Sequence, residues 1–419
     1  MPLLLSPLGR RIATNTLSLG SVQILSYLFP LFLSPYLIRV LGIPGYGSMA
    51  FAQALSGYFG ILTDWGFNLS ATRQVSIARN DPNKLNRIFL DITLAKFALF
   101  AGSFCLLAAL AWTVPILRPE AKVLLAANTA TFGSVLFPGW LFQGLEIMYR
   151  AAAIQIVGRV LGTALLLIFI HSPEDIIKAL LIQSGVGIAA ATLAFISATA
   201  ALPTLNLRLS AKGAWSQITQ GTDYFLTSAS ISLYTVTNSV VLGFLAGKSE
   251  VAFFSPAEKI TRAASDLIGA YGQATFPAIE YVAVNDRGRA VHLIRKSLKF
   301  VAGAGIMASF LLSAGASTIV EIFFGSRIQQ PITAMMILAP LPLLIACSNI
   351  FAVQTMIPFG MSKAVRHIVV CAGLINVALL IELAPKYGAK GAALSVLVTE
   401  IGVTLATGYI VLSRRLLSK

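Results

Sequence analysis

Residues 97–114 read Phe-Ala-Leu-Phe-Ala-Gly-Ser-Phe-Cys-Leu-Leu-Ala-Ala-Leu-Ala-Trp-Thr-Val, eighteen positions without a charge. A run of about 20 apolar residues is the length needed to cross the hydrocarbon core of a bilayer as a helix. Residues 301–320 and 391–412 repeat the pattern, the latter interrupted only by Glu400. In lipid every backbone N–H and C=O must be bonded within the protein, so only helices or closed barrels can span. Barrel strands would alternate over segments of about ten residues. These runs are continuous and rich in Leu, Ala and Ile, so the chain reads as an all-α membrane protein.

The whole chain agrees with that start. Its 419 residues are 57% hydrophobic and only 11% charged, and its mean hydropathy is +0.81. A soluble domain carries about 25% charged residues. Twelve transmembrane helices are expected, near 13–40, 46–70, 90–114, 121–144, 151–171, 176–200, 216–246, 251–283, 299–321, 331–359, 367–384 and 388–412. The start of the chain does not read as a cleaved signal peptide. Arg10 and Arg11 lead into a long span with no small-residue cleavage site behind it.

The net charge of +15 could signal nucleic acid, but the charges lie between spans rather than on one soluble face. They report topology instead. An even number of spans puts both termini on one side, and the loops of that side carry nineteen Lys and Arg against eight on the other. Lys and Arg hold loops in the cytoplasm, so both termini are expected to be cytoplasmic. The longest polar interruption, near 202–216, contains Pro203, Asn206, Arg208 and Lys212. It divides the chain into an N-terminal lobe (1–201, six spans), a cytoplasmic linker (202–216) and a C-terminal lobe (217–419, six spans). A weak repeat supports this division. Val40-Leu41-Gly42-Ile43-Pro44 leads into one small-residue helix and Leu245-Ala246-Gly247-Lys248-Ser249 into another. Internal repeats are common in secondary transporters.

Several chemistries find no support. There is no GxxxxGK[ST] loop for nucleotide phosphates, no HExxH or Cys/His cluster for a metal and no GxSxG elbow. Cys105, Cys347 and Cys371 stand apart inside apolar runs and read as packing residues. No cofactor, metal or catalytic residue is expected, and the chain does not read as an enzyme.

What remains are charges inside spans. An ion at mid-bilayer costs a few kcal/mol and tends to face a bundle interior or a wet cavity. The cations are Lys96, Arg159, Lys259 and Arg262, and the acids are Asp64, Asp223, Glu258, Asp266, Glu280, Glu382 and Glu400. Glu258, Arg262 and Asp266 are four residues apart and share a helical stripe. The stripe is either a cavity wall meeting an anion through Arg262 and Lys259, or an internal salt-bridge ladder. Arg159 lies within Gly158-Arg159-Val160-Leu161-Gly162, whose glycines allow close helix approach; Arg159 itself suits a substrate or gating role. Lys96 either faces the lumen or snorkels to the cytoplasmic surface. Asp64 is placed to pair with Arg73 or with a lumenal cation. Arg262, Lys259, Arg159 and Lys96 are thus the candidate substrate-binding cations. Asp64, Asp223, Glu258 and Asp266 are the candidate coupling or structural acids.

Residues 41–73 hold Leu41-Gly42, Tyr46-Gly47, Ala50-Phe51-Ala52 and Asp64-Trp65-Gly66-Phe67-Asn68-Leu69-Ser70-Ala71-Thr72-Arg73. Further along run Phe253-Phe254-Ser255-Pro256-Ala257-Glu258-Lys259-Ile260 and Gly388-Ala389-Lys390-Gly391-Ala392-Ala393. This pattern resembles the Wzx-type O-antigen flippases, or polysaccharide biosynthesis proteins, of the multidrug/oligosaccharidyl-lipid/polysaccharide (MOP) exporter superfamily. The resemblance implies a MATE-like fold of two six-helix lobes facing a central cavity. It implies a bacterial inner (cytoplasmic) membrane location and transport of a polyprenyl-diphosphate-linked oligosaccharide to the periplasmic leaflet. It implies that lumenal cations such as Arg262, Lys259 and Arg159 meet the substrate. Membrane lipid, H+ or Na+ as a coupling ion and the polysaccharide polymerase machinery are the expected partners, with no nucleic acid. A multidrug or cation antiporter of the same superfamily is the alternative. The chain lacks the extra spans of the related lipid II flippases.

Overall fold

A computed structural model of the chain describes residues 7–200, 202, 209–235 and 237–417. Arg208 and Lys419, both counted among the loop charges, lie outside the described residues, as do residues 203–208 of the expected linker. The side chains of Arg10 and Arg11 likewise lie outside what the structure describes.

The regular elements among the described residues are helical. The first half runs α1 (Pro7–Asp64), α2 (Phe67–Ala78), α3 (Pro82–Thr113), α4 (Ala121–Leu136), α5 (Gly139–Gly144), α6 (Met148–Phe169) and α7 (Ile176–Thr199). Then come α8 (Ala211–Thr235), α9 (Thr237–Leu245), α10 (Lys248–Asn285), α11 (Arg287–Ala314) and α12 (Ala316–Phe324). The chain ends with α13 (Gln329–Leu338), α14 (Leu341–Asn349) continued by a π turn (Ile350–Met356), α15 (Ser362–Tyr387) and α16 (Ala389–Ser413). Among the described residues, nine helical stretches are long and apolar enough to cross a membrane. The protein is a multi-pass membrane protein. The regions expected as spans 216–246 and 251–283 hold α8, α9 and α10 but are not among those nine, because polar and charged residues recur along them.

Several boundaries differ from expectation for local reasons. The expected span 46–70 stops at Asp64, because Trp65 and Gly66 both adopt left-handed backbone (φ 45° and 73°) before α2 begins. The expected span 121–144 breaks at Phe137-Pro138 into α4 and α5, and proline ends helices by removing an N–H and restricting the residue before it. The expected spans near 299–321 and 331–359 are likewise each built from two helices.

α1 contains 58 residues. A straight helix of that length would reach about 87 Å, far beyond a hydrocarbon core of about 30 Å. It is broken at Gly42, whose φ of 72° and ψ of 167° are non-helical. Only glycine enters that region freely. Gly247, which starts α10, holds nearly the same angles, φ 93° and ψ 168°. The repeat extends further. Asp81 caps α3 by accepting from the Lys84 amide at 3.1 Å, and Asp286 caps α11 by accepting from the Arg289 amide at 2.9 Å. Gly42 and Gly247 are 205 residues apart, and so are Asp81 and Asp286. Three residues past each glycine the chain meets the start of a later helix. A Cβ on Gly45 would lie 3.3 Å from Ile176 Cδ1 of α7, and Glu250 Oε2 accepts from the Ala389 amide of α16 at 2.6 Å.

By packing, the chain divides into two compact units, Met1–Ser232 and Leu233–Lys419. The first unit is built around Phe67, Phe89, Trp140, Leu141 and Phe142, where α2, α3 and α5 meet. In the second unit, Ile279, Ile294, Val301, Ala346 and Ile350 join α10, α11 and α14.

Candidate functional site

In the first unit the charges converge where α1 ends. Lys96 projects from α3 with its side chain only 3% exposed. Its Nζ lies 3.3 Å from Asp64 Oδ1 and donates to the Ser134 carbonyl of α4 at 2.8 Å. Asp64 also accepts from Asn68 Nδ2 at 3.1 Å. Lys96 therefore does not reach out to an aqueous surface. An ammonium so enclosed is tolerable only with a counter-charge and further hydrogen bonds, and Asp64 and Ser134 supply both. Arg73, the other partner considered for Asp64, is exposed on α2.

The turn after Asp64 is fixed from the other side by α8. Trp65 Nε1 donates to the Ile218 carbonyl at 2.9 Å. Its ring stacks on Phe225 with centroids 4.0 Å apart and planes 5° from parallel. Gly66 has no room for a side chain, since a Cβ would stand 2.7 Å from Tyr224 Cβ. A two-way amide pair, Gln74 with Gln217 at 2.8 and 3.1 Å, ties α2 to the same helix. Asp223 lies on α8 and is exposed.

Arg159 lies midway along α6, half-buried, with no hydrogen bond or ion pair among the described residues. The glycines flanking it do the packing. A Cβ on Gly158 would meet Ala190 at 3.0 Å and one on Gly162 would meet Val186 at 3.5 Å, both on α7.

In the second unit Arg262 clasps one carboxylate oxygen of Glu258, with Nη2 at 3.0 Å and Nε at 3.2 Å. Glu258 is buried, Arg262 and Lys259 are half-buried, and Asp266 is exposed one turn beyond Arg262. The stripe read from the sequence thus contains an internal pair. Arg262 still keeps about a third of its side-chain surface open, 31%. Farther along α10, Gln354 donates from the π turn to the Gly272 carbonyl at 2.9 Å and to Thr275 Oγ1 at 3.2 Å.

Among the described residues no group of three or more His, Cys, Asp or Glu could hold a metal. Several polar residues that sequence reasoning passed over are uncharged amides; the buried Asp91 of α3 is a charged one. Gln354 braces α10. Asn128 of α4 and Asn376 of α15 are wholly buried with neither side-chain polar atom bonded among the described residues. Amides in otherwise apolar helices were the available signal. The Ser134 carbonyl left none, because backbone partners have no residue signature.

The family described as "Polysaccharide biosynthesis protein" matches residues 12–282. A protein of Escherichia coli (strain K12) is 32% identical over 390 residues, covering 93% of this chain and 94% of that protein. The chain belongs to the polysaccharide biosynthesis protein family. Its Escherichia coli relative carries the name "Putative O-antigen transporter". A Shigella dysenteriae protein of the same name is 28% identical over 405 residues, covering 93% of this chain and 98% of its own. Among solved structures, an inward-facing multidrug resistance MATE family transporter of the MOP superfamily superposes with a TM-score of 0.72 at 13% identity, covering 94% of each chain. The lipid II flippase MurJ, in an inward closed conformation, gives 0.73 at 14% identity, covering 94% of this chain and 87% of its own. These two give the fold. The matched residues of this polysaccharide biosynthesis protein include both the Asp64–Arg73 stretch and the Glu258–Arg262 pair.

Proposed function

We propose that this family member is a flippase for polyprenyl-diphosphate-linked oligosaccharide units of O-antigen or a related surface polysaccharide. It moves them from the cytoplasmic to the periplasmic leaflet of the bacterial inner membrane. The carrying observation is identity of 32% to a protein named "Putative O-antigen transporter" along nearly the whole length of both chains. The chain is a carrier rather than an enzyme, and flipping draws on an ion gradient of H+ or Na+ or on consumption of the product by the polymerase machinery.

Its architecture under this reading is twelve spans in two six-helix lobes with both termini in the cytoplasm. The nineteen-to-eight loop charge ratio and the matched Gly42/Gly247 and Asp81/Asp286 positions support it. The cargo has an apolar tail, an anionic diphosphate and a polar sugar. Arg159, with no protein counter-charge among the described residues, is the first candidate for the diphosphate. Arg262 and Lys259 follow. Lys96 is already engaged by Asp64, so its role is to position the Trp65 turn.

Deleting the gene is the test. The expected result is loss of polymerised surface polysaccharide, with lipid-linked units accumulating on the cytoplasmic leaflet. Unaltered surface polysaccharide together with new drug sensitivity would assign the chain to the multidrug antiporter reading instead.

A further inference from the structure

One end of the second unit carries a dense basic surface. Arg289, Lys296 and Lys299 are exposed on the first turns of α11, Lys363 and Arg366 on the start of α15, and Arg414 just past α16. These three segments meet in space. Arg295 of α11 donates to the Leu417 carbonyl at 2.6 Å, and the Arg287 guanidinium sits 5.3 Å from the centre of the Phe359 ring. Phe359 and Leu417 pack with Met356, Val411 and Leu416 beneath that surface. The nearby acids are few. Asp286 is committed to capping α11, and Glu280 lies near the end of α10.

Each basic segment continues directly into apolar surface. Lys299 is followed by exposed Phe300 and, further along α11, by exposed Met307 and Phe310. Arg366 is followed one turn later by Val369 and Val370 on α15. Arg414 is preceded by exposed Leu412 and Tyr409 on α16. All three helices are long and apolar enough to cross a membrane. A soluble acidic partner would meet the charges without the apolar stripes above them. A phospholipid matches both at once, with phosphate at the bases and acyl chains along the stripes. Arg and Lys at this boundary are suited to anionic headgroups by charge and, for Arg, by its planar donor fork.

We propose that this rim of α11, α15 and α16 is a binding surface for anionic phospholipid headgroups, which bridge the three helix ends and hold them together. The full-length purified protein is unfolded thermally in mixed micelles containing phosphatidylglycerol or phosphatidylcholine. Phosphatidylglycerol is expected to raise the midpoint by several degrees over phosphatidylcholine. That difference shrinks at about 1 M salt, where screening acts over about 3 Å. Changing Lys299→Gln, Arg366→Gln and Arg414→Gln together is expected to remove most of the difference, while Arg366→Lys with Arg414→Lys keeps it. If the triple variant fails to fold, phosphatidylglycerol retained per protein after gel filtration is compared for Lys299→Gln and the parent, with less expected for the variant. Equal midpoints in the two lipids overturn the proposal, and so does a triple variant that keeps the full difference. A shift produced by a polyprenyl diphosphate but not by phosphatidylglycerol also overturns it and assigns the surface to cargo.

Discussion

Replacing Asp64 by Asn leaves the Lys96 ammonium enclosed with the Ser134 carbonyl and no counter-charge. Removing one partner of a buried ion pair costs about 3–5 kcal/mol, and Lys96, at 3% exposure, stands near the top of that range. The reverse change, Lys96→Met, orphans Asp64 instead. That carboxylate is 26% exposed and keeps its bond from Asn68, so about 1–2 kcal/mol is expected, below the range for a fully buried partner. The double variant Asp64→Asn/Lys96→Met removes both charges and should be more stable than Asp64→Asn alone. Thermal unfolding of the purified protein in detergent, with the four variants as a double-mutant cycle, measures the coupling. The reasoning is refuted if Lys96→Met proves as damaging as Asp64→Asn, or if the two losses simply add.

Three further expectations concern other parts of the molecule. Gly247→Ala forces a side chain into φ 93° and should cost about 1–3 kcal/mol. Gly269→Ala, in helical backbone where the added Cβ would meet nothing within 4 Å beyond its own helix backbone, should be neutral or stabilising; equal losses at both sites in unfolding experiments would contradict the strained turn. The Lys84 amide, and then its ammonium, hold the exposed Asp81 carboxyl below its ordinary value. Its capping stability is therefore complete above the ordinary carboxylate range and fades as pH falls through the lowered value; Asp81→Asn should flatten that acid limb in a pH series of unfolding midpoints. For the second unit, Arg262→Gln alone leaves Glu258 buried without its clasp and should reduce the amount of folded protein. Glu258→Gln/Arg262→Gln should restore folded protein but not transport, and restored transport would confine Arg262 to a structural role.

The helical membrane class was legible from uncharged runs such as residues 97–114, because span length follows directly from bilayer thickness. The repeat was legible at Gly42 and Gly247, since turns that only glycine can enter leave a mark in sequence. Its second anchor, the Asp81/Asp286 caps, is visible only in the structure, as Asp begins many helices and loops. The i,i+4 geometry of Glu258 and Arg262 could be read from spacing alone. For Asp64 the sequence offered Arg73 or a lumenal cation, and it could not single out Lys96, because the two lie 32 residues apart and the third participant is a backbone carbonyl. The breaks at Trp65-Gly66 and Phe137-Pro138 were missed for a different reason. Hydropathy runs smoothly across them, and only the local backbone departs from the helix.

The most direct measurement is leaflet exchange. Purified protein in sealed vesicles is supplied with a labelled polyprenyl-diphosphate oligosaccharide, and the fraction reaching the far leaflet is followed with a membrane-impermeant quencher. Exchange that depends on the protein, needs no ATP and is weakened by Arg159→Gln at normal folded yield is the predicted result. Vesicles in which the labelled lipid stays in its original leaflet, at the rate of protein-free controls, would contradict the account.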